Sequence, residues 1–170
     1  MPSEFSAALR PDWSVPGVGA RMSTRADGDL RDPASRAAFE ASLGAVPVWL
    51  EQVHGHRVVR VSHADVGAMA QKADASVTTE PGVACVVQVA DCLPVLVAAP
   101  RARAVGAAHA GWRGLAGGVV ENTVQAVCEL AACRADELEV WLGPRIGPRR
   151  FGGRPGVLAA LRRREPVARD

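Results

Sequence analysis

Residues 104–114 read Ala-Val-Gly-Ala-Ala-His-Ala-Gly-Trp-Arg-Gly, and residues 115–130, Leu-Ala-Gly-Gly-Val-Val-Glu-Asn-Thr-Val-Gln-Ala-Val-Cys-Glu-Leu, follow without a break. The apolar run 104–108 describes a short buried strand. In the second stretch Val119, Val120, Val124, Val127, Cys128 and Leu130 recur at helical spacing, with Glu121, Gln125 and Glu129 on another side. A strand that turns through glycines directly into an amphipathic helix, expected over 115–130, is the joint of a layered domain.

Outward from this joint the chain is strand-rich. Strands are expected at 46–53, 57–62, 83–89, 93–99 and 138–142, with 83–89 apolar enough to be buried on both faces. Pro94 cannot donate to a ladder, so it belongs near an edge or among the first residues of its strand. Asp32 followed by Pro33 signals a helix start, and Gly44 a stop, which predicts a helix over 33–43. The Pro- and Gly-rich opening is expected to be an extended lead-in over 1–19, with one edge strand near 18–23. The fold class is α+β, a mixed α/β sandwich: mixed sheets with helices packed outside, in a single domain over 20–151, followed by an Arg-rich tail over 152–170.

Composition narrows the function. At 170 residues the chain can bury a full core without staples. Cys85, Cys92, Cys128 and Cys133 show no Cys-x-x-Cys spacing, so reduced thiols and a cytoplasmic setting are expected. No apolar run reaches the roughly 18 residues a membrane span needs. The net charge of +2 is local, since eight arginines fall between Pro144 and Asp170 and leave the rest of the chain at −4. A solvated tail explains them better than a nucleic-acid or membrane surface.

The chemistry concentrates in three residues. His109 lies 17 residues after Cys92, which in turn lies 38 after His54, all at the ends of apolar runs. Two imidazoles and a thiol suit either a three-ligand zinc site with an open fourth position, or a thiol nucleophile assisted by a histidine. These spacings match no local metal signature and leave both readings open. The turn carrying Gly111 and Gly114 has free N–H groups at a helix start, and Arg113 adds a forked cation, so a phosphate site there is physically reasonable. Its alternative is a turn whose glycines merely satisfy the backbone. Asp74 suits an N-cap or turn, with a role in a polar site as the competitor. His56 and His63 read as surface residues, Trp112 as packing, and Cys85 and Cys128 as core.

Five strings, Gln52-Val53-His54-Gly55, Ala73-Asp74-Ala75, Ala90-Asp91-Cys92-Leu93-Pro94-Val95, His109-Ala110-Gly111-Trp112-Arg113-Gly114 and Leu142-Gly143-Pro144-Arg145-Ile146-Gly147-Pro148, stand in this order. Together they resemble the laccase-domain (YfiH-like) family, formerly described as multicopper polyphenol oxidases and now regarded as purine nucleoside phosphorylases with adenosine deaminase activity. Weaker similarity reaches Pro11-Asp12-Trp13 and Ser23-Thr24-Arg25. The resemblance implies catalytic zinc held by His54, Cys92 and His109. It also implies phosphorolysis of adenosine, inosine, guanosine and methylthioadenosine, so the expected partners are a purine nucleoside and phosphate. Arg113, Gly111, Gly114 and Arg25 are the candidate phosphate or substrate contacts.

Copper is the alternative metal, but one cysteine and two histidines cannot fill the several positions of a multicopper oxidase. A cysteine hydrolase using Cys92 and His109, or a non-catalytic metal-binding relative, are the other readings. The chain departs from the family pattern by a short segment between Arg25 and Trp49. It departs again after Phe151, where the C-terminal part is expected to be truncated.

Overall fold

Side-chain alternation along one central strand, β8 (Val105–Ala110), organises the molecule. Ala108 and Ala110 join a core cluster on one face, while Ala107 and His109 point to the opposite face. The computed structural model describes residues 9–147, 149–152, 157, 159 and 160. In it β8 is the middle of a five-stranded sheet of order β3-β5-β8-β7-β9, formed by β3 (Val58–Arg60), β5 (Ala75–Thr78), β7 (Leu93–Ala98) and β9 (Glu139–Leu142) around it. β3 and β5 run parallel, whereas β5–β8, β8–β7 and β7–β9 are antiparallel. The expected class, a mixed α/β domain with mixed sheets and helices outside, is what forms.

One face of the sheet is covered by α3 (Val119–Ala131), whose Val119, Val127 and Ala131 pack on Ala75, Val77, Val95, Val97 and Ala108. Each fully buried valine contributes about 1.5–3 kcal/mol. The helix sits close because β8 offers small residues: a Cβ on Gly106 would lie 3.0 Å from Val77 Cγ1 and 3.1 Å from Val127 Cγ2. The opposite face carries a second cluster, Val48, Val59, Val61, Ala73 and Val83, beneath a two-stranded parallel sheet of β1 (Val46–Val48) and β6 (Val83–Cys85). Another parallel pair joins β2 (Leu50–Glu51) to β4 (Gln71–Lys72). Helix α1 (Pro33–Ala41) starts as expected, with the Asp32 carboxylate accepting from the Ser35 N–H at 2.8 Å, and buries Phe39.

Several boundaries differ from the sequence reading, each for a physical reason. The helix expected to run unbroken over 115–130 begins earlier, as α2 (Trp112–Gly117), and breaks at Gly118, which adopts φ +95°. The stretch 46–53 is two strands, because β1 and β2 pair with different partners. Only Val83–Cys85 of the run 83–89 is a strand, since its single ladder partner, β1, has three residues. The edge strand near 18–23 reduces to one bridge, Met22 to Leu9. β5 was not anticipated: its four residues are all buried and too few to show a period. Pro94 is the second residue of β7, as its missing N–H requires. Of the tail, only Gly152, Val157, Ala159 and Ala160 are among the described residues. No helix of the described residues is long and apolar enough to cross a membrane.

Candidate metal centre

Three chain segments bring the expected ligands together. His109 is the fifth residue of β8, on the face away from α3; Cys92 is the residue just before β7; His54 rides a turn beyond β2. The β7–β8 register aligns Leu93 with Ala110 and Pro94 with His109, so Cys92 comes beside the end of β8 without any loop having to reach for it. The ligand atoms of His54, Cys92 and His109 all lie within 4.8 Å of one another. The two imidazoles meet edge to face, with centroids 4.8 Å apart and planes at 79°. His109 is buried, Cys92 half-buried and His54 exposed, so the cluster opens to solvent on one side.

Gly111 stands against all three side chains. A Cβ built there would lie 3.1 Å from Cys92 Sγ, 3.2 Å from His54 Cδ2 and 3.9 Å from His109 Cε1. The space a side chain would fill is left free where the three ligands converge. Together with two borderline nitrogens and one soft sulfur, which suit zinc and also copper, this cradle fits a single bound metal ion.

The local folding follows from Asp74, which the sequence alone presents chiefly as a turn or cap residue. It is fully buried at the start of β5. Its carboxylate accepts from the N–H groups of Val53 at 3.1 Å, His54 at 2.9 Å and Gly55 at 2.7 Å, and it meets His109 Nδ1 at 2.8 Å. Burial alone would raise the Asp74 carboxyl, but His109 and the three backbone donors outweigh it and hold it below the ordinary value. His54 adopts φ +59°, a left-handed conformation uncommon for a side chain of its size, so the turn needs those anchors. An acidic residue between two alanines at a strand start was the available signal.

Burial first, then the negative charges of Asp91 and Asp74, push the Cys92 thiol up. These surroundings are the reverse of the electropositive ones that activate a nucleophilic cysteine, which weighs against the cysteine-hydrolase reading. A metal ligand, by contrast, surrenders its proton to the ion. Metal uptake should therefore release that proton, and affinity should climb about tenfold per pH unit across neutral pH. Competition against a chelator of known affinity measures this, and a flat profile would rule out the Cys92 sulfur as a ligand.

The remaining candidates are less convergent. Gly114 is buried, and a Cβ there would stand 2.7 Å from Gly55 O; its smallness lets α2 lie against the His54 turn. Arg113 is exposed, its guanidinium carbon 4.8 Å from the centroid of the Trp112 ring. Arg25 is exposed in a one-turn segment, and among the described residues no hydrogen bond or ion pair ties it to the triad. His63 pairs with Glu80 at 2.7 Å on the surface, and the His56 ring packs on Gly117. After β9, the Ile146 N–H donates to Asp91 O and the Gly143 N–H to Pro94 O, both at 3.0 Å, clamping the Cys92 segment from outside. A cavity of about 770 Å³, lined by Trp13, Trp49, Trp141 and Pro94 among others, does not include the three ligands. The donor geometry, rather than that volume, marks the centre.

Among the described residues, a buried carboxylate, two imidazoles and a thiol gather at strand ends of a mixed sheet, a donor set that could hold one metal ion. The chain belongs to the family described as multi-copper polyphenol oxidoreductase laccase, whose pattern matches residues 26–169. That match runs past Phe151, where the motifs carrying the resemblance stop. A Pseudomonas aeruginosa protein named purine nucleoside phosphorylase is 41% identical over 166 residues, covering 86% of this chain and 65% of its own. The Escherichia coli purine nucleoside phosphorylase YfiH is 39% identical over 171 residues, covering 86% and 67%. A crystal structure of a Neisseria meningitidis protein superposes with a TM-score of 0.68 at 39% identity, over 75% of this chain and 50% of that one. The chain thus spans about two thirds of the length of these curated relatives.

Proposed function

We propose that the chain acts as a zinc-dependent purine nucleoside phosphorylase on adenosine, inosine, guanosine and methylthioadenosine, and that it also deaminates adenosine. The observation that carries this reading is the His54, Cys92 and His109 cluster around the Gly111 cradle. The relatives' names, purine nucleoside phosphorylase, supply the substrate class.

In phosphorolysis a phosphate oxygen bonds to ribose C1′ as the bond from C1′ to N9 breaks, giving the free base and ribose 1-phosphate. In deamination water adds at C6 and ammonia leaves. A bound zinc ion would supply Lewis-acid polarisation or a water of lowered pKa, and His54, Cys92 and His109 would hold it. The exposed guanidinium of Arg113 would bind phosphate beside the centre, its fork matching two oxygens. N–H groups of the turn from Gly111 to Gly114, and Arg25, would be further donors. Because α2 has only six residues, its dipole is short and the charge of Arg113 carries most of the attraction.

The test is zinc-loaded full chain incubated with adenosine and phosphate, with Cys92→Ala and His109→Ala as controls. Adenine with ribose 1-phosphate, and inosine from deamination, are expected from the wild type and absent from both variants. Arg113→Ala should raise the phosphate KM about 10- to 100-fold, the loss of a charged hydrogen-bond pair; an unchanged KM would remove Arg113 from the phosphate site. Zinc uptake without base release would overturn catalysis in favour of a metal-binding, non-catalytic member.

A further inference from the structure

One carboxylate joins two of the three ligands, although those ligands lie 55 residues apart in the chain. Asp74 Oδ1 meets both the His109 ring and the His54 N–H, while Oδ2 takes the N–H groups of Val53 and Gly55. The backbone repeats the link, since the His109 N–H donates to Asp74 O at 2.7 Å. We infer that Asp74 is the positioning residue of the centre: it fixes the tautomer of His109, so that Nε2 offers its lone pair to the metal, and it fixes the turn that carries His54. This inference rests on the metal reading of the triad.

The tautomer follows from donor arithmetic. An ionised carboxylate only accepts, so the His109 nitrogen facing it, Nδ1, carries the proton and Nε2 is bare. Carboxylate oxygens offer about four acceptor sites, and Asp74 fills four, which leaves it no capacity to be a ligand or a base itself. A residue that merely capped the turn would need the three N–H bonds alone. The ring bond at 2.8 Å from a fully buried carboxylate is the additional feature, and it is the one that sets the ligand nitrogen.

Asp74→Asn is nearly isosteric and reverses the ring bond, at the loss of one of the three turn anchors, the His54 N–H at Oδ1. An amide oriented to satisfy the most backbone donors keeps its oxygen at the Oδ2 position, for Val53 and Gly55, and turns its NH2 toward His109. Nδ1 must then accept, the proton moves to Nε2, and the nitrogen facing the metal loses its lone pair.

The experiment is nitrogen NMR of the metal-free full chain labelled at histidine, together with zinc affinity from chelator competition. In the wild type His109 should show a protonated Nδ1 and a bare Nε2. In Asp74→Asn the two should exchange, and zinc affinity should fall about 10- to 100-fold. A wild-type His109 protonated at Nε2 overturns the proposal, and so does an Asp74→Asn protein that keeps wild-type zinc affinity. A purely structural role for Asp74 would lower the unfolding midpoint without moving the tautomer. The wild-type spectrum stands even where the variant fails to fold, and it is indifferent to turnover, so failure of the phosphorylase reading is seen separately.

Discussion

Gly111→Ala should cost about 10- to 100-fold in metal affinity, the scale on which disturbed ligand support is felt, while leaving the fold intact. Gly111 has φ −67° and ψ 163°, a conformation alanine adopts freely, so the backbone has no reason to object. The added methyl, however, would press on Cys92 Sγ at 3.1 Å and on His54 Cδ2 at 3.2 Å. Ligand positions good to about 0.2 Å cannot absorb such a displacement at two donors together. Chelator competition and a thermal melt of the metal-free protein measure the two halves of the expectation. Wild-type affinity in the variant would show that the ion, if any, binds away from the cradle.

Gly114→Ala should act three residues on through a different route. Alanine is the better helix former by roughly 1 kcal/mol, and on propensity alone the variant would gain stability. Yet its Cβ would sit 2.7 Å from Gly55 O and 3.3 Å from Val119 Cγ1. A backbone carbonyl cannot rotate aside, so α2 or the turn holding His54 must shift, at an overpacking cost of about 1–3 kcal/mol. Urea unfolding of the metal-free variant should show a lower midpoint, and metal affinity should fall with it because the moved turn carries a ligand. A variant as stable as the wild type would mean that the contact is looser than it stands here.

How far residues alone predicted this arrangement depended on the kind of constraint. Most of the strand after Ala104, the amphipathic face of Val119, Val120 and Val127, and the Asp32-Pro33 helix start were legible because period and capping act locally. His54, Cys92 and His109 were legible as a set that the fold brings together, because two imidazoles and a thiol at strand ends have few structural uses. What stayed hidden was set by distant partners. Ala75–Thr78 shows no alternation, since both of its faces are covered. Asp74 looked like a cap because its ring partner is 35 residues away. Gly111 carries a steric reason at the three side chains that its neighbours in the sequence do not show.

The antiparallel pairing of β7 and β8 has a bearing on how the centre assembles. It holds Cys92 and His109 in register through six residue pairs, and His54 reaches them only once β5 has joined β8 and Asp74 has gathered its turn. Domains whose ligands are near neighbours in the chain recruit an ion as the nucleus about which they fold. Here the sheet must close first, and an ion would arrive as a guest in a finished house. Stripping it with a chelator should then silence the centre and leave the architecture standing.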